Sequence, residues 1–266
     1  MNPSAIAPRR LTRVVRIGSV AVGGENPVRV QSMTSCFTHD VRATLEQIHA
    51  LEAAGCELVR VTVPEARDAS ALPEILREIR IPLIADIHYD YKMALASIEA
   101  GVHKIRINPG NIGSEERLRT VVDAARKARV PIRIGVNSGS LEKAIEKKHG
   151  GATPEAIVES ALNHIRYLED RGFTDILISV KSSSVPHTVR AYRLLATQCD
   201  YPLHVGVTEA GSGLDGRTKS IAGIGLLLLD GIGETIRVSL TEHPVAEIEV
   251  CRTLLNRVAE LRERPA

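Results

Sequence analysis

Short runs of β-branched and other apolar residues recur along the whole chain, and each is followed by a longer stretch with helical spacing. This alternation is typical of consecutive β-then-α units. Eight such runs begin near Val28, Leu58, Ile81, His103, Pro131, Thr174, Pro202 and Glu234. The intervals between their starts, 22 to 43 residues, leave room for a helix after each strand.

Capping residues mark the ends of the predicted helices. Thr153 followed by Pro154 predicts an N-cap and a first helical residue, and Gly172 predicts the end of that helix. Apolar positions in 41–51 keep helical spacing, and Gly55 follows them as a C-terminal stop. The helices are therefore expected between the strands, as the repeat requires.

Eight β-then-α units in a chain of this length predict an α/β fold, the (β/α)8 TIM barrel. A doubly wound open sheet is the alternative, but eight regular units favour closure. Residues 14–23 precede the first strand and have no place in the repeat, so we expect a short N-terminal β-hairpin that plugs the barrel floor. The predicted organisation is an N-terminal extension and hairpin over 1–27 and the barrel over 28–266.

Within each predicted strand, apolar and polar residues alternate, so they occupy opposite faces. The apolar face packs against the helices at lower cost, and the polar face is therefore expected to point into the barrel. That orientation directs five cations toward a common axis, with Asp86 as the clearest acid among them. The five cations are Arg60, Arg106, Arg133, Lys181 and Arg237.

Cations that converge in a poorly solvated space repel one another unless anions neutralise them. Two roles stay open for Arg237 and for Lys104, which lies on the polar face of its own strand. One is an internal salt bridge and the other is a contact with a ligand. For the other four cations the visible acids are too few. We expect those four to bind a compact multivalent anion, most simply a phosphate or diphosphate ester.

Three glycine-rich segments, 108–113, 137–140 and 208–213, follow predicted strands and precede predicted helices. Turns of this kind present free N–H groups to anions at a helix N-terminus. They also serve a purely steric purpose in many loops, so each alone is a weak signal. Their common position on one rim, above the basic interior, supports an anion site there.

Candidates for proton transfer are fewer. Glu209 lies just past the seventh predicted strand, where a carboxylate could serve as proton donor or base. Asp86 and His88 resemble a pair of metal ligands, but no further ligand of suitable spacing joins them. We therefore expect no metal site in this chain, and we expect Asp86 to orient an arginine or a substrate hydroxyl.

Composition excludes several classes of function. The net charge is +2 and only seven residues are aromatic, which argues against a nucleic-acid partner. The longest apolar run, 222–229, is too short to span a membrane. The four cysteines are scattered singly, as expected of reduced thiols in a cytoplasmic protein.

Seven blocks of residues in order resemble the 4-hydroxy-3-methylbut-2-en-1-yl diphosphate synthases of the non-mevalonate (MEP) isoprenoid pathway. The most specific is Asn-Pro-Gly-Asn-Ile-Gly at 108–113. The blocks are 31–34, 59–64, 85–88, 106–113, 133–137, 208–211 and 237–240. The resemblance extends from about Arg13 over essentially the whole remaining chain.

The resemblance implies an oxidoreductase that converts 2-C-methyl-D-erythritol 2,4-cyclodiphosphate to 4-hydroxy-3-methylbut-2-enyl diphosphate. Ring opening with loss of water would use two electrons from flavodoxin or ferredoxin. At matching positions it implies a catalytic role for Glu209 and a set of substrate- and diphosphate-binding residues. That set is Arg60, Asp86, Arg106, Asn108, Arg133, Asn137, Lys181 and Ser239.

Two departures from the family pattern affect the expectations. Ser35, Cys36 and Phe37 replace a polar Asn/Thr stretch, which concerns only local loop contacts. The family also has a C-terminal domain that holds a [4Fe–4S] cluster on three cysteines and a glutamate, and none of the cysteines here is spaced for that purpose. We therefore expect these 266 residues to bind the cyclic diphosphate without cofactor and without full turnover. The resemblance also implies that the full-length enzyme is a homodimer.

Two other functions stay open. One is a redox-independent TIM barrel that acts on a phosphorylated substrate, similar to the dihydropteroate synthases. The other is a non-catalytic, truncated copy that binds a diphosphate.

Overall fold

The computed structural model describes residues 6–263. The predicted N-terminal extension and barrel also include residues 1–5 and 264–266, which lie outside the described residues. Ten β-strands occur in the described part of the chain. They are β1 (Val15–Ile17), β2 (Val20–Val22), β3 (Arg29–Met33), β4 (Leu58–Thr62), β5 (Leu83–Ile87), β6 (Lys104–Ile107), β7 (Ile132–Asn137), β8 (Ile176–Lys181), β9 (His204–Val205) and β10 (Thr235–Ile236).

Nine α-helices lie within the same residues, 6–263. They are α1 (Val41–Ala53), α2 (Ala66–Glu78), α3 (Tyr91–Ala100), α4 (Glu115–Ala128), α5 (Lys143–His149), α6 (Pro154–Glu169), α7 (Val185–Ala196), α8 (Gly213–Leu229) and α9 (Val245–Glu263). The short helix α5 occupies the longest interval between predicted strands. One helix therefore follows each barrel strand, with α5 as an addition to the regular repeat.

The eight strands β3 to β10 form one parallel sheet in the order β8-β7-β6-β5-β4-β3-β10-β9. A parallel bridge between Ile178 and Leu203 joins the two ends of this order and closes the barrel. The predicted (β/α)8 TIM barrel is confirmed. Strands β9 and β10 have two residues each, fewer than the apolar runs in the sequence predict. The pairing continues one step past β10, where Arg237 N donates to Val205 O at 3.1 Å.

The outer wall of the barrel is apolar, as the alternation predicts. Val59, Val61 and Val63 on one strand are buried in the layer beneath the helices, and Ile132 and Ile134 are buried there on another. Because the apolar side chains of each strand point outward into this layer, the polar side chains on the opposite face point into the barrel.

Side-chain caps fix the starts of helices close to the residues that the sequence indicates. Thr153 Oγ1 accepts from Ala156 N at 3.2 Å, and Pro154 is the first residue of α6. Ser114 Oγ accepts from Arg117 N at 3.4 Å at the start of α4. Each cap satisfies a backbone N–H that the helix itself leaves free.

The hairpin β1–β2 seals the floor of the barrel, as predicted. Its strands pair antiparallel, with Val15 opposite Val22. Buried hairpin side chains pack in one apolar cluster with inward-pointing residues of three barrel strands. The cluster consists of Val15, Ile17, Val22, Leu58, Ile84 and Leu177. Buried apolar side chains therefore exclude water from the interior at this end, and the polar interior opens toward the other end.

Replacing Ile17 with alanine tests the contribution of this plug to stability. Ile17 is fully buried, so the change should remove about 2–5 kcal/mol from the free energy of unfolding. Leu11 lies in the same N-terminal segment but is 87 % exposed, and Leu11→Ala should change it by no more than about 0.5 kcal/mol. Urea unfolding followed by circular dichroism measures both, and equal effects would contradict the packing described here.

Candidate active site

A cavity of about 180 Å³ lies inside the mouth of the barrel, lined by side chains from all eight strands or the residues that follow them. Seven predicted site residues line it, including all four of the cations assigned to an anion. The lining residues are Met33, Arg60, Asp86, His88, Arg106, Arg133, Asn137, Ser179, Lys181, Thr208, Arg237 and Ser239. Larger cavities of about 320 and 430 Å³ lie elsewhere, and none of the predicted site residues lines them.

Asp86 holds two of the arginines in place. Its Oδ1 lies 3.0 Å from Arg106 Nη1, and its Oδ2 lies 3.3 Å from Arg60 Nε and 3.6 Å from His88 Nε2. Burial alone would raise the pKa of Asp86, but Arg60, Arg106 and His88 together hold it well below the usual value. Asp86 is therefore an ionised carboxylate that orients arginines, as the sequence predicts.

Arg237 forms an internal ion pair, the structural role that the sequence left open for it. Its Nη2 and Nε lie 3.0 and 3.1 Å from the two carboxylate oxygens of Glu247, near the start of α9. Glu247 also accepts from Ser32 Oγ at 2.7 Å and from Leu240 N at 3.2 Å. A buried carboxylate with this many donors anchors α9 to the barrel and fixes Arg237 at the edge of the cavity.

Arg133 and Lys181 have no carboxylate partner within residues 6–263. Arg133 is 1 % exposed; its Nη1 donates to Ser179 Oγ at 2.9 Å, while its Nε and Nη2 have no acceptor among these residues. Burial lowers the pKa of both groups, and the neighbouring arginines lower it further. The negative charge of an anion in the cavity would raise the pKa of both groups again.

Glycines on the inner wall make room for these long side chains. A Cβ on Gly135 would overlap Arg106 Nε and lie 2.8 Å from its Nη2. A Cβ on Gly206 would lie 2.9 Å from Lys181 Nζ. Gly135 in β7 and Gly206 directly after β9 are thus small inward positions that let cations from neighbouring strands extend into the cavity.

The two predicted asparagines have different surroundings. With its amide oriented to satisfy its neighbours, Asn137 accepts from Arg106 Nη2 at 3.1 Å and lines the cavity. Asn108 does not line it; its Nδ2 donates to Ser140 O at 3.2 Å and its Oδ1 accepts from Gly110 N at 3.3 Å. Asn108 therefore ties together the loops that follow β6 and β7.

Glu209 lies outside the lining of the cavity. It is exposed, on the loop before α8, with a backbone φ of 51°. Its neighbour Thr208 lines the cavity instead. The structure brings the cationic residues together but does not bring the carboxylate of Glu209 among them.

Residues 12–252 match the family described as the GcpE TIM-barrel domain. The chain is 56 % identical over 258 residues to the 4-hydroxy-3-methylbut-2-en-1-yl diphosphate synthase (flavodoxin) of Caldanaerobacter subterraneus, covering 97 % of this chain and 73 % of that protein. It is 54 % identical over 257 residues to the enzyme of the same name from Lawsonia intracellularis, covering 97 % and 72 %. The chain belongs to the 4-hydroxy-3-methylbut-2-en-1-yl diphosphate synthase family. This synthase family consists of oxidoreductases of isoprenoid biosynthesis, so the resemblance seen in the sequence is confirmed.

Solved structures share the fold of this synthase barrel at low sequence identity. Dihydropteroate synthase from Xanthomonas albilineans superposes with a TM-score of 0.67 at 14 % identity, covering 96 % of this chain and 100 % of that one. The sialic acid synthetase of Leptospira borgpetersenii gives 0.66 at 12 % identity, covering 97 % and 94 %. Identities this low show the fold alone. Within residues 6–263, no helix is long and apolar enough to cross a membrane.

The described part of this synthase chain does not fit an iron–sulfur cluster. No group of three or more His, Cys, Asp or Glu side chains is placed to hold a metal ion within residues 6–263. Cys56 and Cys251 are buried, and burial raises the pKa of their thiols to about 11 and about 12. Cluster ligands are thiolates, which these surroundings disfavour.

Some residues that line the synthase cavity are absent from the predicted binding set. Ser179 and Thr208 share the inward face of their strands, so the same alternation could have found them. Met33 carries no polar signal, yet its sulfur accepts from Arg60 Nη2 at 2.9 Å and from Arg237 Nη1 at 3.4 Å. A thioether between two guanidinium groups separates the cations without adding charge.

Replacing Gly135 with alanine tests the packing of the arginines. The added Cβ must displace Arg106, which breaks its contact with Asp86 and should weaken the binding of pyrophosphate about tenfold or more, the effect of losing one charge-assisted hydrogen bond. A Cβ added to Gly225, on α8 outside the barrel, would lie at an ordinary contact distance, 3.5 Å from Leu254 Cδ1, so Gly225→Ala is the matched control and should bind normally. Calorimetric titration measures both, and unchanged affinity in Gly135→Ala would contradict the role of this glycine.

Proposed function

We propose that the cavity binds the diphosphate group of 2-C-methyl-D-erythritol 2,4-cyclodiphosphate, and that this chain is the substrate-binding barrel of its reductive conversion to 4-hydroxy-3-methylbut-2-enyl diphosphate. The observation that carries the proposal is the pair of buried cations, Arg133 and Lys181, without a carboxylate partner among residues 6–263. The names of the relatives support it, because they contain the product of that reaction.

Each side chain has a distinct part in binding. Arg133 and Lys181 are assigned to the phosphoryl oxygens, since neither is engaged by an acid. Asp86 aims Arg60 and Arg106 at the same ligand by fixing one edge of each guanidinium group. The remaining phosphoryl oxygens would accept from Asn137 and Ser239, which line the same cavity.

The excess of cations also suits the chemical step. Each phosphorus of the cyclic substrate has one ester bond to carbon and one bridging oxygen to the other phosphorus, so the substrate carries two negative charges. The linear product carries three when its terminal phosphate is fully ionised. Opening the ring breaks the carbon–oxygen bond to one phosphate, and loss of a hydroxyl group breaks a second carbon–oxygen bond. The step takes up two electrons and one proton, which leaves with the hydroxyl as water, and a carbon–carbon double bond forms. Cations placed beforehand at the developing phosphate charge would stabilise this change without reorganisation.

Glu209 is proposed as the proton donor or base of this reaction, with Asn108 fixing the rim of the site. Glu209 lies on the exposed loop 208–213, so the proposal requires that loop to bring the carboxylate to the bound substrate. The glycines at 211 and 213 have φ angles of 101° and 57°, and this permissive backbone supports such a rearrangement.

The electrons are proposed to come from flavodoxin, the donor that the names of the relatives contain, or from ferredoxin. We further propose that these 266 residues bind substrate without full turnover and that the full-length enzyme is a homodimer in the cytoplasm. The cysteines of the described residues support the first point, because they do not gather as ligands of a redox centre.

Single substitutions of the two free cations test the proposed function. Arg133→Ala and Lys181→Ala should each weaken the binding of the cyclic diphosphate by at least about 1.5 kcal/mol, because each removes a charge-assisted hydrogen bond. This loss is about tenfold or more in the dissociation constant. Isothermal titration calorimetry with the cyclic diphosphate, or with pyrophosphate as its surrogate, measures it.

Lys127 is exposed on α4 and provides the control for this experiment, since Lys127→Ala removes a positive charge that lies outside the barrel. That variant should bind as tightly as the parent chain. Unchanged affinity in both Arg133→Ala and Lys181→Ala would refute the proposed site.

Binding should also take up protons. Burial and the neighbouring arginines lower the pKa of Lys181 in the free protein, and a bound diphosphate would raise it again. The complex therefore holds more protons than the free protein between these two pKa values, and affinity should fall as pH rises through that window. Calorimetry in buffers of different ionisation enthalpy measures the uptake, which should be smaller in Lys181→Ala; proton release on binding would contradict the prediction.

A further inference from the structure

A second polar layer lies beneath the cavity, between it and the apolar floor. Gln31, Lys104 and His204 are fully buried on the inward faces of β3, β6 and β9. None of these three residues lines the cavity. Arg133 does line the cavity and lies at its boundary with this layer. Leu177 and its neighbours in the floor cluster close the layer from below.

Side chains from opposite sides of the barrel meet in this layer. Lys104 Nζ lies 3.5 Å from Gln31 Oε1, which joins β6 to β3 through the interior. His204 Nδ1 lies 2.7 Å from Thr235 Oγ1. The first contact crosses the interior of the barrel, and the second joins the neighbouring strands β9 and β10.

Four nitrogen atoms around this layer have no hydrogen-bond acceptor among residues 6–263. They are Gln31 Nε2, His204 Nε2, and Nε and Nη2 of Arg133. Each is buried and each can donate, so an acceptor within reach of several of them would satisfy them together. Native proteins seldom leave so many buried donors unpaired in one place.

Charge favours an anion over a neutral acceptor. Within the described residues no carboxylate forms a salt bridge with Lys104 or Arg133. Burial and the nearby cations lower the pKa of Lys104 and of His204, as expected where positive charge is not compensated. In a medium of low polarity, a negative ion gains far more than a water molecule from such surroundings.

We propose that this layer binds a small monovalent anion of the size of chloride, held by Lys104, Arg133, Gln31 and His204. Gln31, Lys104 and His204 are fully buried and do not line the cavity above, so the position is closed to bulk water and favours a single-atom ion over a phosphate. The proposal does not rest on the proposed function: Arg133 borders both sites, whereas Gln31, Lys104 and His204 do not line the diphosphate cavity.

Bromide is the probe. Crystals grown in bromide should show an anomalous peak in contact with Lys104 Nζ and the free nitrogens of Arg133 and His204. In solution, the thermal midpoint should rise to saturation with chloride or bromide relative to gluconate at equal ionic strength, because a ligand that binds only the native state stabilises it. The halide shift should persist with saturating pyrophosphate.

Gln31→Glu supplies the missing negative charge 3.5 Å from Lys104 without a change of size. It should raise the midpoint in gluconate and abolish the halide shift. Gln198→Glu makes the same substitution on an exposed position and should keep the full shift.

A full halide shift in Gln31→Glu, or no anomalous peak in this layer, would overturn the proposal. So would halide that competes with pyrophosphate, because it would then occupy the cavity above. That last result would leave the proposed function standing, whereas failure of pyrophosphate to bind would contradict the proposed function and leave the bromide experiment decisive for this layer.

Discussion

Positive charge without matching carboxylates, held inside a closed barrel, is the constraint on which the site depends. Arg60 and Arg106 share one acid, Asp86, and Arg237 has Glu247, but Arg133 and Lys181 have none within residues 6–263. A buried ion without a partner is costly in the free protein. The arrangement is consistent with a protein whose interior is completed electrostatically by its ligand.

Packing elsewhere in the fold holds these buried cations in place despite the cost of their burial. Apolar outer faces of the strands join the helix layer, so the barrel is held together from outside and not by its own interior. The hairpin closes the floor with apolar side chains, and Glu247 links α9 to Arg237 at the rim. Stability and binding thus rest on different residues of the same strands, because alternate side chains face opposite ways.

The fold and the inward set of cations could be predicted because strand alternation is a local property of the sequence. A residue such as Arg133 is assigned to the interior by its immediate neighbours alone. The choice of ion-pair partner is not a local property, because Arg237 and Glu247 come together only through the turn between β10 and α9. Nor could the sequence indicate that Asn108 would be engaged by Ser140, or that Glu209 would lie outside the cavity, since both depend on loop conformation.

Family membership and the geometry lead to the same chemistry from independent directions. The relatives are named for a diphosphate product, and the barrel encloses a small cavity rich in cations. The most direct test is a crystal structure of this chain with the cyclic diphosphate bound. The account predicts phosphoryl oxygens within hydrogen-bond distance of both Arg133 and Lys181; a ligand bound elsewhere, with these two side chains still unpaired, would contradict it.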